Sequence, residues 1–227
     1  MKISPTLTEV KEIAKTGKYD ILPVSCEILS DFITPIEAMR ILQNVSTHCY
    51  LLESAQANEA WGRYTFLGYD PKLEINCIDG HMKLGKLSVE TENPSEYIRQ
   101  ILSEYKSPKF DYLPSFTGGL VGYFSYDYLG YKEKSIRGKA KDTEDFKDVD
   151  LMLFDKVIAF DNLCQKIILI ANMSLDAPET GYNKAIVEIK QLRELLMHGE
   201  KKQNMGGKLL GEVTPLFEKE QYCEMVE

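Results

Sequence analysis

Positive charge is in short supply in this 227-residue chain: 27 lysines and arginines face 35 aspartates and glutamates, a formal net charge of −8. A nucleic acid or an anionic membrane needs a basic face to neutralise its phosphates, so neither is an expected partner. Long hydrophobic runs are absent too. No stretch approaches the roughly 20 apolar residues of a membrane span, and the opening Met1-Lys2-Ile3-Ser4-Pro5 has no apolar core like that of a signal peptide. The five cysteines, Cys26, Cys49, Cys77, Cys164 and Cys223, are odd in number, far apart and without a Cys-x-x-Cys pair. That pattern fits reduced thiols and a cytoplasmic location. His48 and Cys49 alone are adjacent, too few for a zinc site, and read as strand residues.

Recognisable catalytic signatures are also lacking. Gly118-Gly119-Leu120-Val121-Gly122 is followed by no Gly-Lys-Ser/Thr, and the Gly-x-Gly-x-x-Gly spacing does not occur. Glycines among aromatics inside a strand are better explained by close approach of another backbone or ring. The histidines His48, His81 and His198 lie in separate elements, with no Gly-x-Ser-x-Gly elbow or His-Glu-x-x-His helix. Acidic pairs such as Glu90 with Glu92, and Asp148 with Asp150, read as solvated loop residues. No metal site and no catalytic residue is expected within this stretch.

What is present is the material of a soluble globular protein, 44% hydrophobic and 27% charged. Thr6 and Glu9 form a capping-box pattern ahead of Leu7, Val10, Ile13 and Ala14, with Gly17 as the stop. Ile21 to Leu29 alternates as a half-buried strand, and Thr34-Pro35-Ile36-Glu37 starts a helix running to about Gln43-Asn44. Lys72–Ile78 and Met82–Val89 read as a hairpin around Asp79-Gly80, and a helix follows from Asn93-Pro94 to near Lys106. Phe116 to Tyr128 alternates glycine with aromatics, and Lys132 to Lys147 reads as a charged surface loop. Leu151–Phe160 and Lys166–Ala171 read as a second hairpin around Asp161-Asn162. Gly181–Met197 is an amphipathic helix, 199–213 is linker-like, and a last helical pattern begins at Pro215. Hairpin strands with helices set apart predict an α+β fold on largely antiparallel sheet.

The stretch that organises the rest is Tyr50 to Pro71. Two apolar runs, Tyr50–Leu52 and Tyr64–Leu67, flank a polar segment carrying Glu53, Ser54 and Asn58, which predicts two strands joined by a loop. A carboxylate and a hydroxyl at a strand end are placed to meet a ligand without being buried unpaired.

Leu51-Leu52-Glu53-Ser54, Trp61-Gly62-Arg63-Tyr64-Thr65-Phe66-Leu67-Gly68, and Gly118 to Tyr123 with Ser125-Tyr126-Asp127 together resemble the N-terminal region of anthranilate synthase component I. Asp150 to Asp155 and the Phe160-Asp161 corner are similar as well. Small departures are Thr65 and Leu67 where Ser and Ile are common, and Asn162 where His is expected. The resemblance covers the whole chain. It implies a part of the family's two-sheet α/β/β/α sandwich, divided into a regulatory domain (1–198), a linker (199–214) and the start of the chorismate-binding catalytic domain (215–227).

The family's enzyme makes anthranilate and pyruvate from chorismate and ammonia with Mg²⁺, drawing the ammonia from a glutamine amidotransferase subunit. The resemblance implies that the chorismate and Mg²⁺ residues lie beyond Glu227. To this region it assigns part of the L-tryptophan feedback site: Ser54 first, Glu53 beside it, with Leu52 and Tyr64 helping to form the pocket. An amino acid's ammonium suits a carboxylate and a hydroxyl, and an indole suits an apolar wall. Two rivals remain at this point, component I of aminodeoxychorismate synthase and a stand-alone amino-acid-binding module. The chain alone is expected to be inactive, to bind tryptophan weakly or not at all, and to self-associate through uncovered sheet edges.

Overall fold

The computed structural model describes residues 2–54, 62–135, 145–203 and 206–227. Eleven strands are described, in two sheets in which every pairing is antiparallel. The first sheet holds β1 (Ile3–Ser4), β2 (Ile21–Leu29), β3 (Cys49–Leu52), β4 (Tyr64–Tyr69), β10 (Lys156–Asp161) and β11 (Lys166–Ser174), in the order β1-β2-β11-β10-β4-β3. The second holds β5 (Leu73–Ile78), β6 (His81–Leu84), β7 (Leu87–Glu90), β8 (Gly119–Phe124) and β9 (Val149–Phe154), in the order β7-β6-β5-β9-β8. The α+β fold on antiparallel sheet is the one the sequence pattern predicts.

Helices α1 (Leu7–Lys15), α2 (Pro35–Val45) and α4 (Pro178–His198) cover one face of the first sheet. Both predicted capping boxes form: Thr6 and Glu9 bond reciprocally, as do Thr34 and Glu37, satisfying amides that a helix start leaves without partners. Val10, Ile41, Leu42 and Ile189 meet Leu22, Val24, Leu67 and Leu169 in the principal core. The second sheet packs Ile75, Met82, Val149 and Leu151 against α3 (Pro94–Ser103) and a 3-10 helix, Tyr126–Tyr131. Asn93 makes no side-chain cap to α3; its amide group bonds the Glu96 carboxylate instead.

Four sequence expectations need correction. Glu90 and Asp150 are not loop residues but lie in β7 and β9, and Asp148 accepts from the Tyr131 hydroxyl (2.6 Å). Leu151–Phe160 is not one strand: it breaks at Asp155, so that β9 lies in one sheet and β10 in the other. The break is held by the Asp155 carbonyl, which accepts from the Asn172 backbone N–H (2.8 Å) and from its side-chain amide (3.0 Å). Met82–Val89 likewise divides into β6 and β7 at Gly85-Lys86, where the Gly85 N–H reaches the Glu74 carbonyl. The Leu22–Cys26 part of β2 is buried on both faces rather than one: Ser25, on the face away from the helices, is 3% exposed and donates to the Ser4 carbonyl. Of the charged loop Lys132–Lys147, residues 136–144 lie outside the described set.

After α4 the backbone is tied to α2. The Lys202 N–H donates to the Arg40 carbonyl, the Arg40 Nε returns a bond to the Lys202 carbonyl, and the Asn44 side chain donates to the Glu200 carbonyl. The last helix, α5 (Lys219–Val226), has no buried residue.

Two close approaches explain glycines in the recognised motifs. A Cβ at Gly122 would overlap the Asp150 carbonyl of the neighbouring β9. At Gly68 it would overlap the ring of Tyr50, its cross-strand partner in β3. That ring is held edge-on by Phe154 (centroids 4.7 Å apart) and Phe116 (6.4 Å), so it has nowhere to retreat. The Tyr50 hydroxyl is buried with no hydrogen-bond partner among the described residues, and burial pushes its ionisation upward. Gly68→Ala is therefore expected to lose about 1–3 kcal/mol of stability by overpacking. Tyr50→Phe keeps the ring, removes the unpaired hydroxyl, and should be neutral or stabilising by up to about 1 kcal/mol. Urea denaturation of the two variants checks both; a large loss in Tyr50→Phe would show that the hydroxyl has a partner.

Candidate functional site: the open end of strand β3

The β3–β4 ladder runs Cys49↔Tyr69, Tyr50↔Gly68, Leu51↔Leu67 and Leu52↔Phe66. Alternation along a strand then sorts the side chains. Cys49, Leu51, Leu67 and Tyr69 face the helices, while Tyr50, Leu52, Tyr64 and Phe66 face away from them. Leu52 is 47% exposed and Tyr64 is half-buried, its ring 5.8 Å from that of Phe66. Glu53 and Ser54 follow the last paired residue and are both exposed. Had the ladder continued, they would stand opposite Thr65 and Tyr64. Two residues named from sequence, Asn58 and Trp61, lie outside the described set.

The structure thus places all four candidate residues at one end of an edge hairpin: Leu52 and Tyr64 on one face, Glu53 and Ser54 at its tip. Chemically this offers an anionic acceptor and a hydroxyl beside apolar and aromatic surface.

Two further residues at this end, Arg63 and Asp161, stand in separate recognised motifs, with Arg63 a further candidate for the pocket, but their pairing escapes sequence reasoning. Arg63 forks onto Asp161: its Nε lies 3.1 and 3.2 Å from the two carboxylate oxygens and its Nη2 lies 2.6 Å from Oδ2. Its guanidinium also lies over the Tyr64 ring, 4.8 Å from the centroid. Asp161 is only 4% exposed, and its Oδ1 accepts from the backbone N–H groups of Leu163 (3.1 Å) and Cys164 (3.0 Å). Asp161-Asn162 signals a turn in the sequence, but nothing there says that the aspartate also receives an arginine 98 positions away. Asn162 fits its place: its N–H donates to the Arg63 carbonyl and its side-chain amide reaches the Thr65 hydroxyl at 3.3 Å.

Among the described residues no group of three His, Cys, Asp or Glu side chains is arranged to hold an ion. His48 instead lies 3.3 Å from Glu74, and all five cysteines are unbridged. Among the described residues no helix is long and apolar enough to cross a membrane.

Burial is the largest influence on the Asp161 carboxyl and pushes it up, but the Arg63 fork and the Cys164 amide outweigh it and hold the group below its ordinary value. A depressed folded-state value gives stability that is present above the unfolded value of about 3.9 and lost as pH falls through the folded one. Asp161→Asn should therefore be less stable than wild type at neutral pH, with the gap closing below about pH 4. Denaturation series at several pH values check this; a gap that does not change with pH would contradict it.

The chorismate binding enzyme family matches residues 47–227. Anthranilate synthase component 1 of Acetivibrio thermocellus is 34% identical over 198 residues, covering 85% of this chain and 39% of that protein. The Pseudomonas aeruginosa protein of the same name is 35% identical over 196 residues, covering 83% and 39%. A crystal structure of anthranilate synthase component I from Streptococcus pneumoniae TIGR4 aligns with TM-score 0.48 at 25% identity, over 73% of this chain and 36% of that one. The chain thus spans about two fifths of the length of these curated relatives, their N-terminal part. It belongs to the chorismate binding enzyme family, and within that family it is similar to the N-terminal region of anthranilate synthase component 1.

Proposed function

We propose that this chain is the regulatory N-terminal part of an anthranilate synthase large subunit, and that the open end of β3 is part of its L-tryptophan feedback site. One observation carries the reading: the Leu51-Leu52-Glu53-Ser54 motif ends β3 so that Glu53 and Ser54 are exposed at the tip while Leu52 shares a face with Tyr64. The ammonium of a free amino acid would take the Glu53 carboxylate and the Ser54 hydroxyl as acceptors, and its indole would lie on Leu52 and Tyr64.

In this reading residues 1–198 regulate, 199–214 link, and 215–227 begin the catalytic domain. Chorismate and Mg²⁺ are handled by sequence that the relatives carry beyond the matched region, with ammonia supplied by a glutamine amidotransferase subunit. Residues 1–227 alone are then inactive in converting chorismate. Inhibition works as linkage: tryptophan stabilises a domain arrangement with low affinity for chorismate, so each ligand weakens the other by the same factor.

The test uses the full-length protein with chorismate, ammonia and Mg²⁺, the product being identified with and without L-tryptophan. Wild type should make anthranilate and be inhibited. Ser54→Phe should make it at a similar rate while needing about tenfold more tryptophan or beyond for inhibition. Aminodeoxychorismate as product would move the protein to the folate branch. Anthranilate formation indifferent to tryptophan would leave the enzyme standing and remove the regulatory site.

A further inference from the structure

We infer that helix α2 straps down the first residues of the linker, so that the chain runs free from residue 203 rather than from 199, and that this strap couples the β3 end to the linker. The coupling rests on the proposed feedback site; the strap rests on local geometry.

Residues 199–202 meet α2 or the end of α4 at every step. The Gly199 N–H closes α4 on the Leu195 carbonyl (2.7 Å), and a Cβ at Gly199 would overlap both that carbonyl and the Ile41 side chain. The Asn44 side chain donates to the Glu200 carbonyl (2.6 Å), and the Lys201 ammonium meets the Glu37 carboxylate, holding it below its ordinary value. Lys202 and Arg40 exchange two bonds, N–H to carbonyl at 2.9 Å and Nε to carbonyl at 3.0 Å. Glu37, Arg40, Ile41 and Asn44 stand three and four apart, so they form one stripe of the helix. Beyond the strap the character changes. Among the described residues, 206–227 are all exposed and make no hydrogen bond or ion pair back to the folded part.

The same helix leads into β3. Residues 46–48 join the two, and the Ser46 hydroxyl holds the join: it donates to the His48 carbonyl (2.8 Å) and accepts the backbone amides of His48 (3.2 Å) and Asp70 (2.9 Å). Ile41 and Leu42 pack in one core with Cys49 and Leu51. The strand that ends at Glu53 and Ser54 and the strap at Arg40 are thus both fixed to α2. A ligand at the β3 end can bias a domain arrangement through the linker only as far as the linker's exit is fixed. Four more free residues would let more arrangements accommodate the bound ligand and dilute the inhibited one.

Two variants of the full-length protein, with folding checked by denaturation, open the strap in different ways. Arg40→Met with Asn44→Ala removes two of its donors, and Gly199→Ala pushes it away from Ile41. Hydrogen exchange reads the strap: the Lys202 amide should exchange about tenfold faster than in wild type, with the amides of β3 unchanged. Unchanged exchange at Lys202 in both overturns the inference.

Inhibition reads the coupling. Both variants should make anthranilate at the wild-type rate without tryptophan, and calorimetry without chorismate should give wild-type tryptophan affinity. The factor by which saturating tryptophan weakens chorismate binding should fall about fivefold. Full coupling in a variant whose Lys202 amide is released overturns the role in inhibition. Lost tryptophan binding would make α2 a support of the pocket instead and overturn it as well. If wild type binds no tryptophan, the feedback reading fails and exchange decides the strap alone: faster exchange at Lys202 keeps it, and unchanged exchange removes it.

Discussion

A single residue, Asp155, separates the last pair of one sheet from the first pair of the other, and the arrangement of the site depends on that crossing. The Asn172 side chain pins it, donating to the carbonyls of both Asp155 and Thr117. Because β9 ends there, Phe154 is delivered against Tyr50 at the hinge between the sheets. Because Tyr50 is held, Gly68 must lie opposite it, and a ladder with Tyr50 across from Gly68 has Leu52 across from Phe66. A slip of one residue would turn every side chain of β3 to the other face. The exposure of Glu53 and Ser54 is thus the far end of a chain of packing constraints that starts more than a hundred positions away in sequence.

That dependence explains what could be read in the sequence. Local chemistry was legible: Thr6 with Glu9 and Thr34 with Glu37 cap their helices as their spacing implies, and β2 has the bounds its alternation suggests. The β3–β4 hairpin was legible because its two apolar runs are separated by polar residues. The division of Leu151–Phe160 was not, since a run that is apolar throughout has the same pattern in one sheet or two, and the Asn172 clamp that breaks it is non-local. The burial of Ser25 was hidden for a similar reason: alternation reports two faces, but not what covers the second.

At the site the division falls between identity and geometry. Leu52, Glu53, Ser54 and Tyr64 were found through a motif, and their grouping at one hairpin end follows from ladder register. Arg63 and Asp161 fork together at this end, yet they stand in separate motifs and neither stretch names the other as its partner. Only the pairing of β4 with β10 brings them together.

The most direct measurement is a crystal structure of the full-length protein with L-tryptophan. The expected result is ligand density at the end of β3, the ammonium within hydrogen-bond distance of the Glu53 carboxylate or the Ser54 hydroxyl, and the indole against Leu52 and Tyr64. Density for the amino acid elsewhere would contradict it.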